Sequence, residues 1–239
     1  MKLFQRKNRK QPAASCSVVV LAAGSSTRMG QDKIMLELDG LPVIVHTLKQ
    51  FETLNEVDEV IVVTREQLVS EIAGLCKIFE LNKVKKVVRG GNSRLESARI
   101  GTLEADYDAK LIAIHDAARP FAGETVIRQT ILKAAETGAA APAVPVKDTV
   151  KVAHDGLVEY TPDRSTLFAV QTPQIFDSSL IRAALQKAID DGAEVTDDCS
   201  AVERLGMKIS LTAGDERNIK ITTPNDILLA ELLAREVRK

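Results

Sequence analysis

The stretch Ser17-Val-Val-Val-Leu-Ala-Ala-Gly-Ser-Ser-Thr-Arg-Met-Gly30 joins an apolar run to a glycine-rich turn. An uninterrupted apolar run is typical of a strand that is covered on both faces of its sheet. Backbone N–H groups in a small, flexible turn near a helix start form a natural anion site. Arg28 and Lys33 place two cations beside this turn. We therefore predict a buried first strand that ends in a phosphate-binding loop.

This loop differs from the common nucleotide-binding loops. Lys33 does not directly follow the second glycine, and no Ser or Thr follows the lysine, so the loop is not a P-loop. The glycines do not form a G-x-G-x-x-G pattern either. An ordinary strand-to-helix connection with basic surface residues is the alternative interpretation.

The rest of the chain alternates short apolar runs with longer helical patterns. Strands are predicted over residues 17–22, 59–64, 84–89 and 111–115, with further candidates over 139–146, 208–212 and 219–222. Helices are predicted over residues 42–51, 93–104, 124–137, 177–191 and 197–205, and from 223 to the C-terminus. This alternation predicts an α/β fold with a mostly parallel sheet. Ligands bind such sheets beyond the carboxyl ends of the strands.

One segment breaks the alternation. Residues 148–154 and 157–161 flank Asp155-Gly156, the sequence of a tight hairpin turn. A two-stranded ribbon alone is marginal in water, so we expect this one to pack on another surface. That surface is either the same ribbon of a second subunit or the edge of the chain's own sheet.

Composition limits the domain count and the partners. A chain of 239 residues corresponds to one large domain or two small ones. The 32 basic and 33 acidic residues give a net charge of −1, so no overall field attracts nucleic acid or an acidic membrane. Aromatic residues make up only 3%, which leaves little material for base stacking. No run reaches the ~18 apolar residues of a membrane span. We expect neither a nucleic-acid nor a membrane partner.

The N-terminus and the cysteines bear on localisation. A basic head followed by the apolar run 18–23 imitates a signal peptide, but the run is short and leads directly into the glycine turn. We interpret residues 1–15 as a disordered basic tail before a buried strand. Three cysteines without a C-x-x-C pair argue against a disulfide scaffold or a zinc site, and they favour a reducing cytoplasm.

The motif Ile114-His-Asp-Ala-Ala-Arg-Pro120 stands at the carboxyl end of a predicted buried strand. Asp116 could hold Mg²⁺ on a triphosphate, because Mg²⁺ favours one or two carboxylates together with phosphate oxygens. The alternative is that Asp116 caps the following segment and pairs with Arg119. We expect His115 to be a hydrogen-bonded core histidine rather than a base.

Further candidate residues follow other predicted strands. The turn Gly90-Gly91-Asn92-Ser93 would let a flat base approach the backbone, and an ordinary capped helix start is the alternative. Lys220 lies in an apolar run and must reach solvent, an acid or a phosphate, because an unpaired buried ammonium is costly. Arg164 and the run Thr196-Asp197-Asp198 complete the set, although Thr196 fits a helix N-cap equally well.

The chain shows no sequence pattern of a catalytic triad, a Cys-His pair or H-E-x-x-H. Transfer of a nucleotidyl group to a phosphate needs none of these. A phosphate monoester has its second pKa near ~6 and is an ionised nucleophile at neutral pH. The protein then has to align the reactants and neutralise charge. Scattered Arg and Lys residues without a base fit such an enzyme better than a hydrolase.

An ordered set of motifs resembles one family. L-A-A-G-S-S-T-R-M-G, G-G-x-x-R-x-x-S, H-D-A-A-R-P-F, P-V-K-D-T-V-K, Q-T-P-Q-I-F, T-D-D and N-I-K-I-T-T-P-x-D follow one another between about residues 17 and 233. Together they are similar to the 2-C-methyl-D-erythritol 4-phosphate cytidylyltransferases of non-mevalonate isoprenoid synthesis. The resemblance implies a single Rossmann-like domain over 16–239, with helices on both faces of the sheet. It also implies a homodimer built through a protruding β-hairpin arm at about 142–167, CTP and Mg²⁺ as reaction partners, and pyrophosphate as leaving group.

The resemblance also implies roles for individual residues. Arg28 and Lys33 would stabilise the reacting α-phosphate, and Arg164 and Lys220 would position the alditol phosphate. Asp116 would hold the metal and, with Arg119, Thr149 and Thr196, surround that substrate, Thr149 coming from the partner's arm. The residues implied around the nucleotide are Ala22, Ala23, Gly24, Ser25, Gly91, Asn92, Arg94, Ser97 and Ala117.

Some positions depart from the family's pattern. Asp32-Lys33-Ile34 replaces the usual P-K-Q, and Arg217 stands where an acid is common. A cytidylyltransferase for another alditol phosphate, such as ribitol 5-phosphate, is the near alternative, and Ala118 favours methylerythritol over it. A non-catalytic nucleotide-binding regulator is the alternative from another class. The joint presence of the implied cations and Asp116 argues against the regulator.

Overall fold

The computed structural model describes residues 15–24 and 32–237, with the backbone alone at Val237. The predictions for the basic tail, Ser25 and Arg28 therefore lie outside the described residues. In chain order the elements are β1 (Cys16–Ala22), β2 (Glu37–Leu38), β3 (Leu41–Pro42), α1 (Val43–Glu52), β4 (Val57–Thr64), α2 (Val69–Ile78), β5 (Val84–Arg89), α3 (Arg94–Glu104), β6 (Leu111–Asp116), α4 (Glu124–Thr137), β7 (Ala139–Pro145), β8 (Val152–His154), β9 (Leu157–Tyr160), β10 (Phe168–Val170), β11 (Gln174–Asp177), α5 (Ser178–Asp190), α6 (Asp198–Glu203), β12 (Ser210–Ala213) and α7 (Pro224–Val237).

The main sheet has a parallel half and a mixed half. Strands β6, β1, β4 and β5 lie side by side and are parallel. On the other side of β6, strand β11 runs antiparallel and connects the sheet to β7. Strands β10 and β11 pair with successive parts of β7, and β12 pairs in parallel with the opposite edge of β7. The predicted mostly parallel α/β fold is confirmed, and the reversed strand β11 is an addition to it.

Both faces of β1 are buried, which explains its uninterrupted apolar sequence. Val18 and Val20 belong to the core that includes α1, whereas Val19 belongs to the core that includes α3 and α5. Helix α3 approaches the sheet closely at Gly101, where a Cβ atom would lie 2.2 Å from a methyl group of Val19. Only glycine permits this approach.

The predicted helices are all present within two residues of their predicted ends, and Ser93 and Asp177 cap two of them. The prediction of a strand over 219–222 is wrong. Ile221 is buried, and its N–H donates to the carbonyl of Ala118 at 2.9 Å, but no strand forms there. The apolar residues of this segment pack a loop against the core instead. Helix α2 and strands β2, β3, β10 and β11 were not predicted.

The predicted hairpin is confirmed, with shorter strands than expected. Asp155 and Gly156 have φ angles of 48° and 79°, as a two-residue hairpin turn of the favoured type requires. Strands β8 and β9 pair only with each other among the described strands, so the interpretation as an edge hairpin of the main sheet is wrong. Every residue of β9 is exposed. In the described part of the chain, no helix has both the length and the apolar character needed to cross a membrane.

Candidate active site

A cleft of about 380 Å³ opens at the carboxyl ends of the parallel strands. The ends of β1 and β6, the turn before α3 and the loop before α7 meet there, because the carboxyl ends of parallel strands share one edge of the sheet. The predicted site residues that line the cleft are Ala22, Ala23, Gly24, Lys33, Gly91, Asn92, Arg94, Ser97, Asp116, Ala117 and Lys220.

Hydrogen bonds from neighbouring strands fix the end of β1 at the edge of the cleft. The N–H of Ala117 donates to the carbonyl of Leu21 at 3.0 Å, which continues the pairing of β1 with β6. The hydroxyl of Thr64 donates to the carbonyl of Ala22 at 3.4 Å. The backbone around Ala22–Gly24 therefore sits at a fixed position at the start of the predicted phosphate loop.

Lys33 lies between two attachments to the fold. On one side the Asp32 carboxylate forms an ion pair with the Arg65 guanidinium, which follows β4. On the other side Ile34 is buried, and its carbonyl accepts a hydrogen bond from the N–H of Ile44 at 2.9 Å. The unusual Asp32-Lys33-Ile34 sequence thus fixes the backbone of Lys33 at the cleft wall.

Asp116 is the centre of charge in the cleft. Its carboxylate lies 2.9 Å from Lys220 Nζ, 3.5 Å from Arg119 Nε and 3.9 Å from Arg94 Nη2. Burial alone would raise the pKa of this carboxyl, but Lys220 and the two arginines outweigh burial and lower the pKa of Asp116 to about 2. Asp116 is therefore ionised at any physiological pH. The interpretation that Arg119 pairs with Asp116 is also correct.

His115 has a structural role, as expected. Its Nδ1 is 3.1 Å from the hydroxyl of Thr172, and its Nε2 is 3.1 Å from the carbonyl of Arg119. Burial lowers the pKa of His115 to about 4, so the ring is neutral at pH 7. With both ring nitrogens engaged, His115 is placed as the hydrogen-bonded core histidine that the sequence predicted.

The turn before α3 is both a capped helix start and a wall of the cleft. Ser93 accepts the N–H of Glu96 at 3.0 Å, and Ser97 Oγ accepts the N–H of Gly91 at 3.2 Å. A Cβ atom on Gly91 would lie 2.4 Å from that of Glu96. Glycine is therefore required by the turn itself, independently of any ligand.

Arg94 is held by a residue that had no assigned role. Its guanidinium donates two hydrogen bonds, of 3.0 and 2.6 Å, to the buried carboxylate of Asp198. Burial lowers the pKa of Arg94, but Asp198 outweighs burial and raises it. The T-D-D motif was the only sequence signal for this contact. The N-cap of α6 is Asp197, so the interpretation of Thr196 as the cap is wrong. The exposed hydroxyl of Thr196 lies 3.5 Å from Ser200 Oγ.

Other predicted residues do not line the cleft of the same chain. Arg119 lies behind Asp116 and donates to the carbonyl of Asn218 at 2.7 Å, a contact that sequence reasoning missed. Thr149 and Arg164 are exposed on the arm segment, where Arg164 donates to the carbonyl of Lys147 at 2.9 Å. The structure thus separates the predicted site into a cleft group and an arm group.

The residues of the cleft fit a metal ion that is bound mainly by the phosphate oxygens of a ligand and not by protein side chains. Within residues 15–24 and 32–237, no group of three or more His, Cys, Asp or Glu side chains forms a metal site. Among the cleft residues that the structure describes, Asp116 is the one carboxylate, and Lys33 and Lys220 line the same cleft. Such a donor set fits a cation that arrives with phosphate oxygens as most of its ligands.

Fold and cleft together define a class of protein. A cleft at the carboxyl ends of parallel strands, lined by Lys33, Lys220 and the carboxylate of Asp116, is typical of an α/β nucleotidyltransferase. The sequence model of the 2-C-methyl-D-erythritol 4-phosphate cytidylyltransferases matches residues 16–236. The chain belongs to this family, which confirms the resemblance found in the sequence.

Individual relatives agree with this assignment. The 2-C-methyl-D-erythritol 4-phosphate cytidylyltransferase of Caldanaerobacter subterraneus subsp. tengcongensis is 43% identical over 92% of this chain and 99% of its own length. That of Halalkalibacterium halodurans is 43% identical over 92% and 97%. The 4-diphosphocytidyl-2C-methyl-D-erythritol synthase structure from Anaerococcus prevotii superposes with a TM-score of 0.84 at 32% identity, covering 93% and 97% of the two chains.

Proposed function

We propose that the protein transfers CMP from CTP to 2-C-methyl-D-erythritol 4-phosphate, giving CDP-methylerythritol and pyrophosphate in non-mevalonate isoprenoid biosynthesis. Its membership of the family supports this reaction. The observation that carries the proposal for the site is the placement of Lys33, Asp116 and Lys220 in one cleft. The relatives are named for methylerythritol phosphate, which favours this substrate over ribitol 5-phosphate.

The chemistry needs no base from the protein. A phosphate oxygen of the alditol phosphate forms a bond to the α-phosphorus of CTP, and the bond from that phosphorus to the bridging oxygen of pyrophosphate breaks. The attacking phosphate is already ionised, since its second pKa is near ~6. This agrees with the neutral, fully hydrogen-bonded His115. The protein's task is alignment and neutralisation of charge.

In this proposal the cleft lysines have different tasks. Lys33, with Arg28, stabilises the charge that develops on the α-phosphate. Lys220, with Arg164, holds the phosphate of the alditol. The ion pair with Asp116 at 2.9 Å fixes the Lys220 ammonium before the substrate arrives. The backbone of Ala22–Gly24 and the turn Gly91–Ser97 surround the nucleotide.

We also propose that Mg²⁺ enters with the triphosphate and that Asp116 is its protein ligand. The cation supplies charge neutralisation on the phosphates when it is bound. Asp116 is suited to this task because its pKa of about 2 keeps it ionised.

The arm supports a proposal of a homodimer. Leu157, Val158 and Tyr160 of β9 are 75, 60 and 58% exposed, and a two-stranded ribbon is marginal in water unless another surface covers such side chains. A second copy's arm would cover these side chains and would bring Thr149 and Arg164 to the partner's cleft. We place the enzyme in the cytoplasm, in keeping with three buried cysteines that are all free thiols.

Pyrophosphate release tests the proposed reaction. The protein is incubated with CTP and Mg²⁺ and with methylerythritol phosphate or ribitol 5-phosphate in parallel. We expect release with methylerythritol phosphate and little with ribitol 5-phosphate. A preference for ribitol 5-phosphate would refute the substrate, and no release with either would favour the non-catalytic regulator.

A further inference from the structure

We propose that Asp198 is a positioning residue, which holds the Arg94 guanidinium away from Asp116 and so leaves Asp116 free for the metal–nucleotide complex. The inference rests on the proposed function for the role of Asp116. Its geometric basis is independent of that function. Arg94 Nη2 lies 2.6 Å from Asp198 and 3.9 Å from Asp116, so one guanidinium stands between two carboxylates.

Asp198 is anchored to the sheet rather than to a flexible surface. Its side chain is 1% exposed. The N–H groups of Asp198 and Cys199 both donate to Gln174 Oε1 at 3.0 Å. Gln174 belongs to β11, pairs with Ile114 of β6 and donates from Nε2 to Asp197 at 2.7 Å. The start of α6 therefore has a fixed position relative to the strand that carries Asp116.

The bidentate contact determines where the arginine points. Two parallel hydrogen bonds fix the plane and direction of a guanidinium, which a single contact does not. Removing the Asp198 charge leaves the Arg94 guanidinium, which is 35% exposed, without its close counter-ion, so we expect it to move toward the next carboxylate. For Arg94 the other carboxylate within 4 Å among the described ion pairs is Asp116.

Asp116 has limited capacity for a third close cation. One of its oxygens already accepts Lys220 at 2.9 Å and Arg119 at 3.5 Å. The other oxygen, Oδ1, is the one that faces Arg94. A closed Arg94–Asp116 pair would occupy this second oxygen, which is the one left for a metal ligand bond. Asp198 prevents this closure by binding Arg94 more tightly.

The test uses Asp198→Asn, which keeps the shape of the side chain and removes its charge. Binding of the Mn²⁺·CTP complex is measured by the enhancement of water-proton relaxation, and half-saturating Mg²⁺ is measured in the pyrophosphate assay. We expect Mn²⁺·CTP to bind on the order of tenfold more weakly and the Mg²⁺ requirement to rise correspondingly. Adding Arg94→Gln to Asp198→Asn removes the competing cation. At saturating CTP, which compensates for any nucleotide contact of Arg94 itself, the half-saturating Mg²⁺ should return toward the wild-type value.

Controls separate positioning from folding. Glu56→Gln removes a carboxylate that pairs with Arg128 at 3.2 Å, at the opposite end of β4, and should leave both metal readouts unchanged. If Asp198→Asn does not fold, Asp198→Glu replaces it in the test, because Asp198→Glu keeps the ion pair with Arg94. Its extra methylene pushes the guanidinium toward Asp116, so we expect intermediate weakening.

The inference is overturned if the folded Asp198 variants bind Mn²⁺·CTP like the wild type, or if the double variant at saturating CTP needs as much Mg²⁺ as Asp198→Asn alone or more. Absence of Mn²⁺·CTP binding by the wild-type protein also overturns it. Failure of the proposed function would look different. The wild type would then bind Mn²⁺·CTP but would release no pyrophosphate when the alditol phosphate is added.

Discussion

The cleft and the arm present their functional side chains in opposite ways. In the cleft, Asp116, Lys220 and Arg94 are partnered with one another or with Asp198 at distances between 2.6 and 3.9 Å. On the arm, Thr149 and Arg164 are exposed, and the ribbon next to them has apolar side chains without cover. One chain thus holds the charged side chains of the cleft in fixed pairs but leaves the arm residues outside its own cleft. In the proposed dimer, a second chain completes the site.

The largest effect is expected from the cleft, at Lys33. Lys33→Ala removes a cation that is proposed to act on the transition state, so kcat should fall on the order of 10²–10³-fold. Steady-state pyrophosphate release measures this. The matched control is Lys133→Ala on α4, where the lysine pairs with Glu136 at 2.9 Å and the expected change is negligible. Barely altered turnover in Lys33→Ala would remove Lys33 from the mechanism.

The free energy of unfolding is expected to depend on pH through the buried His115. The pKa of His115 is about 4 in the folded protein and about 6.5 in the unfolded chain, so the unfolded chain binds the proton more readily. The free energy of unfolding therefore decreases as the pH falls from about 6.5 to about 4. The full contribution is about 3 kcal/mol. Urea unfolding of the wild type and of His115→Gln across this range should show a steeper loss of stability in the wild type.

The exposed His154 on the arm is the control for this measurement. Its side chain is 79% exposed, so His154→Gln makes the same substitution at a position without burial. Equal pH dependence in the wild type and His115→Gln would show that His115 is not held neutral by burial.

On the arm, the expected effect is smaller and selective. Thr149→Val removes one hydroxyl and should raise KM for the alditol phosphate by up to about tenfold, with little change in KM for CTP. Thr161→Val is the control on the same arm, because its hydroxyl accepts a hydrogen bond from Lys151 at 2.7 Å. If both KM values change equally in Thr149→Val, the arm does not contact the alditol phosphate.

The smallest effect is expected at the Asp32–Arg65 pair, which holds the Lys33 backbone. Partly exposed ion pairs contribute about 0–1 kcal/mol, so Asp32→Asn should lower kcat by no more than about fivefold. The charge-swapped variant with Asp32→Arg and Arg65→Asp should recover part of the loss. A kcat that is unchanged in Asp32→Asn would mean that the Asp32–Arg65 pair is not needed to position Lys33.

The sequence allowed most of the cleft to be predicted, since its parts follow apolar strands in a fixed pattern. The apolar strands β1 and β6 end at Ala22 and Asp116, at one edge of the sheet. Lys220, which lies within an apolar stretch, reaches the same cleft. The error over 219–222 arose because Ile221 packs a loop against the core with the same apolar sequence that a strand would have. Strand β11 was missed because four residues beside a proline carry little periodicity.

Contacts between distant residues were not predictable from pattern. Arg94 and Asp198 are 104 residues apart in sequence, and only the fold brings them together. The same holds for Arg119 and the carbonyl of Asn218, which are 99 residues apart. Local motifs identify which residues can carry charge, whereas the tertiary structure determines which charges neutralise one another.

A mixing experiment tests the division between cleft and arm most directly. Lys33→Ala has a defective cleft and an intact arm, and Arg164→Met has the reverse. If the arm completes the site of a second chain, mixing the two variants restores about a quarter of wild-type pyrophosphate release, because random exchange makes half of the dimers mixed and each mixed dimer has one intact site. A mixture no more active than the mean of the two variants measured separately would contradict a site shared between chains.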